Sequence, residues 1–143
     1  MAFYSSDHAR FVIPDDPSKA LKLNERFRKL REVETKGFWE GQIGIKQRKY
    51  VDINVPFNDT FEIRDNSISN ESERTLHNFL QLFKSVPAFV KFSQVNGHAI
   101  WSALKTNFIN DFLDILKLPR DSDLSSIVLH ACHDYFVIMG RQE

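Results

Sequence analysis

A chain of 143 residues with 42% hydrophobic content has enough apolar side chains for one core, and its 19 Lys and Arg balance 19 Asp and Glu. The single cysteine, Cys132, excludes an intramolecular disulfide framework. No run of about 18 apolar residues is present, and the first residues lack the pattern of a secretory signal. These features predict a soluble cytoplasmic protein, folded as a single globular domain over residues 1–143.

The first predicted element is a helix over residues 17–36. Asp16 can cap the free amides of its first turn, and Pro17 suits the first helical position because its missing N–H would be unpaired there. Gly37 can adopt the left-handed conformation that closes many helices. Both ends of this helix are therefore marked in the sequence.

The same helix contains the densest basic charge of the chain. Lys22, Arg26 and Lys29 recur at i, i+4 and i+7, on the face opposite the apolar positions, which predicts an exposed stripe of cations. Such a stripe can be an ordinary solvated face, can bind an acidic protein, or can contact nucleic-acid phosphates.

Alternating apolar residues then predict a β-hairpin with strands at 38–47 and 50–57, and a third short strand at 61–64. Next, the sequence predicts a helix that begins near Ser69 or Asn70 and ends before Pro87.

Residues 88–95 favour a short strand, followed by a turn and a helix that continues to about Lys117. A last helix is expected from Asp121 or Ser122, and residues 135–139 fit either a buried strand or the end of that helix. The predicted fold class is α+β, with a small antiparallel sheet of three to five strands and three or four packed helices.

The sharpest candidate for chemistry is His130-Ala-Cys-His133-Asp134. On a helix, residues at i, i+3 and i+4 share one face, so His130, His133 and Asp134 would form half of a metal site. No further ligand from elsewhere in the chain occurs at a recognisable spacing, and a pair of solvated histidines explains the same pattern. Cys132, flanked by apolar residues, is expected in the core.

Two further features suit protein binding. Trp39 is expected either in the core or as an interface anchor. An acidic stretch offers a surface for a basic partner such as a nuclease, and its carboxylates are Asp52, Asp59, Glu62 and Asp65.

No motif for catalysis, for a cofactor or for a known family occurs in the chain. The leading hypothesis is therefore a non-enzymatic protein, without cofactor, that binds a protein partner as an immunity-type inhibitor of a toxin or defence enzyme. Two alternatives stay open: a small metal-dependent hydrolase or nuclease that uses His130, His133 and Asp134, and a nucleic-acid-binding regulator that uses the helix at 17–36.

Overall fold

The structure is a computed structural model that describes residues 2–6, 10–39, 51 and 59–141. Within these residues the chain forms four helices and four strands, so the predicted α+β class is confirmed. The helices are α1 (Pro17–Lys29), α2 (Leu76–Ser85), α3 (Pro87–Asn96) and α4 (His98–Leu116), and the strands are β1 (Ala2–Ser6), β2 (Arg10–Val12), β3 (Asp59–Thr75) and β4 (Val128–Arg141). None of the helices in the described ranges combines the length and the apolar character that crossing a membrane requires.

Strand β4 organises the antiparallel sheet, because β1, β2 and β3 each form hydrogen bonds with it. In the antiparallel pair of β1 and β4, Ala2 lies opposite Met139 and Ser6 lies opposite Tyr135. The predicted hairpin at 38–47 and 50–57 lies almost entirely outside the described residues.

The chain divides into two compact units. The first unit comprises Met1–Arg10, Glu40–Ser72 and Ala131–Glu143, and it includes β1. The second, here called the helical unit, comprises Phe11–Trp39 and Glu73–His130 and contains all four helices. The single domain expected over residues 1–143 stays a prediction.

Phenylalanine dominates the core of the helical unit. Phe79 and Phe112 stack at a centroid distance of 6.2 Å, and Phe11 meets both rings edge-on at 5.1 and 5.4 Å. Phe108 and Phe112, one turn apart on α4, approach within 4.5 Å. Aromatic pairs in these geometries add to the free energy gained by burying their apolar area.

The ends of α1 follow the sequence signals. The Asp16 carboxylate accepts a hydrogen bond of 3.0 Å from the Lys19 amide, and this bond lowers the pKa of Asp16. Pro17 is the first helical residue, and α1 continues into a π-helical turn, Leu30–Glu34, before Gly37 takes a φ of +88°. The predicted start at residue 17 is confirmed, but the helical backbone stops at Glu34, two residues before the predicted end at 36.

The start expected for the second helix, near Ser69 or Asn70, is wrong, because β3 continues to Thr75 and α2 begins at Leu76. The helix itself and its end before Pro87 are confirmed, since α2 ends at Ser85. The Thr75 hydroxyl accepts the Asn78 amide at 3.1 Å, while the Leu76 amide donates to the Ile127 carbonyl at 2.8 Å. Because β3 pairs with β4, the residues before Leu76 form a strand where the local sequence predicted a helix.

The strand expected at 88–95 is also wrong, since Pro87–Asn96 is helix α3. A short apolar run does not distinguish a strand from a buried helix. Gly97, with a φ of +90°, separates α3 from α4, and α4 ends at Lys117 in the left-handed conformation. The expected helix to about Lys117 is confirmed.

The last helix expected after Asp121 is wrong as well. Turns occupy the chain up to Ser126, and the long strand β4 follows from Val128. Residues 135–139 belong to this strand, which settles the alternative left open for them.

Candidate functional site: a cationic groove

The predicted basic stripe on α1 is interrupted at its centre. Lys22 and Lys29 are exposed, but Arg26 is only 8% exposed. Its guanidinium forms ion pairs with Glu34, at 2.9 Å, and with Asp111 of α4. It also lies 5.0 Å from the centroid of the Phe108 ring.

These contacts overturn the assignment of Arg26 to an exposed cationic face. The helical spacing places a residue on a face of α1, but it does not reveal which neighbours pack there. A buried guanidinium is stable only where carboxylates compensate its charge, and here Glu34 and Asp111 do so. Arg26 therefore holds α1 to α4, and the surface of α1 keeps Lys22 and Lys29.

The acidic surface is only partly described. Asp59 and Glu62 are exposed on β3, while Asp52 and the side chain of Asp65 lie outside the described part of the chain. Trp39 packs against the core: its indole N–H donates to the Thr35 hydroxyl at 2.8 Å, and its ring meets Phe89 edge-on at 5.0 Å.

The helical half-site at His130, His133 and Asp134 is wrong because these residues lie on strand β4. Side chains three positions apart on a strand project to opposite faces of the sheet. His130 lies 3.6 Å from Glu73, measured from Nδ1 to Oε1. No group of three His, Cys, Asp or Glu suited to a metal ion occurs among the residues that were placed.

Asp134 instead pairs with Arg10. Arg10 Nε and Nη2 each lie 3.3 Å from one Asp134 carboxylate oxygen, and Nη2 also lies 3.4 Å from Cys132 Sγ. The hydrogen bond to Asp134 raises the pKa of Arg10 above its usual value. Cys132 is buried, as the sequence predicted. These three residues form a structural contact between β2 and β4.

The helical unit contains a groove of about 610 Å³ among its described residues. Helices α2 and α4 form its walls, and α3 contributes Val90, Ser93 and Gln94. We call this feature the α2–α4 groove. The other lining residues are His77, Leu80, Gln81, Phe83 and Lys84 from α2, and His98, Trp101, Ser102, Lys105, Thr106 and Ile109 from α4.

The charged groups of the α2–α4 groove have one sign. Lys84 and Lys105 line it together with the imidazoles of His77 and His98. No Asp or Glu is among its described lining residues. The remaining polar groups are uncharged amides and hydroxyls, so anionic groups are favoured inside.

Local packing fixes part of this lining. The Lys105 ammonium lies 5.7 Å from the centroid of the Trp101 ring, an attractive cation–π geometry. The amide of Gln81 lies 3.1 Å from His77 Nε2. Below these polar groups, Phe83 and Trp101 belong to the buried core, so the groove has a rigid apolar base under a polar and cationic rim.

A sequence signal for this groove exists, although helical spacing and motifs did not reveal it. From Leu76 to Asn110 the chain contains three lysines and no Asp or Glu, while the whole chain has 19 acids. This acid-free segment includes α2, α3 and most of α4.

Comparison with models of known families, with curated proteins and with solved structures gives no match for the chain.

Proposed function

We propose that this protein is a binding protein that engages an acidic protein partner, as an immunity-type inhibitor of a toxin or defence enzyme, and that the α2–α4 groove is its binding surface. The observation that supports the proposal is a preformed concave surface of about 610 Å³ with only cationic charge among its described lining residues.

Lys84 and Lys105 are the expected charged anchors of this interface. They stand on two different helices that are packed on a common core, so an acidic segment of the partner can contact both without rearrangement of the groove. Apolar side chains below them add area that excludes water, which strengthens the charged contacts. An inhibitor that binds in this way would cover the partner's functional surface.

The hydrolase alternative required His130, His133 and Asp134 to share one face of a helix, and these residues lie on strand β4. The nucleic-acid alternative has lost one cation of its stripe, because Arg26 is buried in ion pairs. For these reasons the protein-binding hypothesis is retained as the leading one. Its surface is moved to the groove from the two patches expected from the sequence, which are the acidic stretch and the cations of α1.

Capture from the native cell with matched variants tests this proposal. Tagged wild-type protein is compared with Lys84→Glu/Lys105→Glu and with the charge-matched control Lys22→Glu/Lys29→Glu on α1, all after nuclease treatment of the lysate. We expect one stoichiometric protein with wild type and control that is lost with the groove variant.

Inhibition is then measured with the purified partner. Wild-type protein and the α1 control should lower the partner's activity at a one-to-one ratio, while the groove variant should not. A partner retained by the groove variant and lost by the α1 variant would place binding on α1. Recovery that disappears with nuclease would favour the nucleic-acid hypothesis.

A further inference from the structure

Lysine and histidine side chains are spread along the α2–α4 groove. His77 and Lys84 are seven residues apart on α2, and His98 and Lys105 are seven residues apart on α4. At 1.5 Å per residue, each pair spans roughly 10 Å along its helix axis. Each wall therefore offers one lysine charge and, about two turns away, the polar group of an imidazole, an arrangement that matches an elongated anion better than a single small ion.

The length of the groove agrees with such an occupant. Its lining on α4 runs from His98 to Ile109, roughly 16 Å along the helix. An extended peptide rises about 3.3 Å per residue, so about five residues of peptide fit along this wall. A single phosphate or carboxylate would contact only one end.

The apolar lining argues for a peptide over a nucleic-acid strand. Leu80, Val90 and Ile109 offer aliphatic contacts, while the aromatic residues Trp101 and Phe83 are only 6% and 2% exposed. Proteins that bind single strands stack bases on accessible aromatic faces, and the buried rings of the groove do not offer them. The chain also has no net positive charge.

We propose that the α2–α4 groove binds an extended peptide segment in which carboxylate side chains alternate with apolar ones. This inference rests on the proposed function and names the part of the partner that the groove recognises. Successive side chains of an extended peptide point in opposite directions, so carboxylates can face Lys84 and Lys105 while apolar side chains enter towards Leu80 and Ile109. The N-terminus of α4, which begins at His98, adds the positive end of a helix dipole to the same groove.

The test uses full-length protein and a fluorescent peptide of about seven residues, with Glu at alternate positions and small apolar residues between them. A peptide with Gln in place of each Glu, inorganic phosphate and a short oligothymidylate serve as comparison ligands. Binding is measured by fluorescence anisotropy, and the binding surface by changes in the amide NMR spectrum of the ¹⁵N-labelled protein.

We expect the Glu peptide to bind, to shift amides of α2 and α4, and to lose at least about fivefold in affinity in Lys84→Gln/Lys105→Gln. The matched control, Lys22→Gln/Lys29→Gln, should bind the Glu peptide as wild type does. The dispersion of the amide NMR spectrum of each variant verifies that the variant is folded. Affinity for the Glu peptide should also fall with added salt.

Several results would overturn the inference. The Gln peptide could bind equally well, phosphate could produce the same shifts with the same affinity, the oligothymidylate could bind more tightly, or the Glu peptide could fail to bind. If the native partner is still lost with Lys84→Glu/Lys105→Glu while the Glu peptide does not bind, the proposed function stands and the acidic segment is the wrong occupant.

Discussion

Replacing Arg26 by alanine removes the only described guanidinium that is buried between two carboxylates. The side chain of Arg26 is 7% exposed, that of Glu34 is 19% exposed and that of Asp111 is 48% exposed. Breaking a buried pair by deleting one partner costs about 3–5 kcal/mol. Because Asp111 can regain water, we expect the low end, a loss of about 3 kcal/mol in the free energy of unfolding.

A loss of this size should lower the melting temperature by about 10 °C for a chain of this length. Urea unfolding followed by tryptophan fluorescence measures the change in the free energy of unfolding directly. Trp39 and Trp101 are the two tryptophans of the chain, and both lie in the helical unit with Arg26. The signal therefore reports the unit that the substitution affects.

Arg28→Ala is the matched control on the same helix. Arg28 pairs with Glu32 at 3.2 Å, but their side chains are 58% and 34% exposed, so its loss should cost less than about 1 kcal/mol. Adding Glu34→Gln and Asp111→Asn to Arg26→Ala should recover part of the stability, because no carboxylate is then left without its counter-ion. Equal losses for Arg26→Ala and Arg28→Ala would refute this account of α1.

Three further changes test the rest of the helical unit. Phe112→Ala should lower the free energy of unfolding by about 3–5 kcal/mol in urea titrations, because the fully buried ring contacts Phe11, Phe79 and Phe108; a loss below about 1 kcal/mol would contradict this packing. Lys117→Gly should raise the free energy of unfolding, and with it the melting temperature, and Gly97→Ala should lower both, each by about 1 kcal/mol, because both positions have a positive φ. A Cβ at Gly97 meets no atom within 4 Å, so the effect there is conformational and not steric. Shifts of the same sign in the two variants would contradict this argument. Asp16→Ala should destabilise α1 at pH 7, whereas Asp16→Asn should not, as measured by the urea midpoint. Because folding lowers the pKa of Asp16, the part of its contribution that depends on the charge is present above the unfolded pKa and is lost as the pH falls through the folded pKa, so the difference in stability between wild type and Asp16→Ala should narrow in acid.

The ends of the helices show how far local signals reach. Asp16 and Pro17 act within one turn of their own backbone, so the sequence alone placed the start of α1 to the residue. Gly37 marks the end less closely, because α1 ends at Lys29 and its π-helical continuation ends at Glu34. The apolar spacing of α4 likewise sufficed to predict a helix that ends near Lys117. In both cases the determinants are contacts between residues close in the chain.

Strands and short helices depended on more distant residues. Thr75 and the residues before it extend β3 because β3 pairs with β4, although β4 begins 53 residues after Thr75 in the chain. The apolar run 88–95 forms α3 because it packs on α2 and α4, a choice that its own composition left open.

The sequence by itself determined the α+β class, the start of α1, the end of α4 and the burial of Cys132, since capping, helical periodicity and an apolar surrounding are local properties. Tertiary structure alone decided that Arg26 is buried, because Asp111, 85 residues away, compensates its charge. It also decided that Lys84 and Lys105 line one groove. Their acid-free segment was readable in the sequence, but only the packing of α2, α3 and α4 brings the two cations to a single surface.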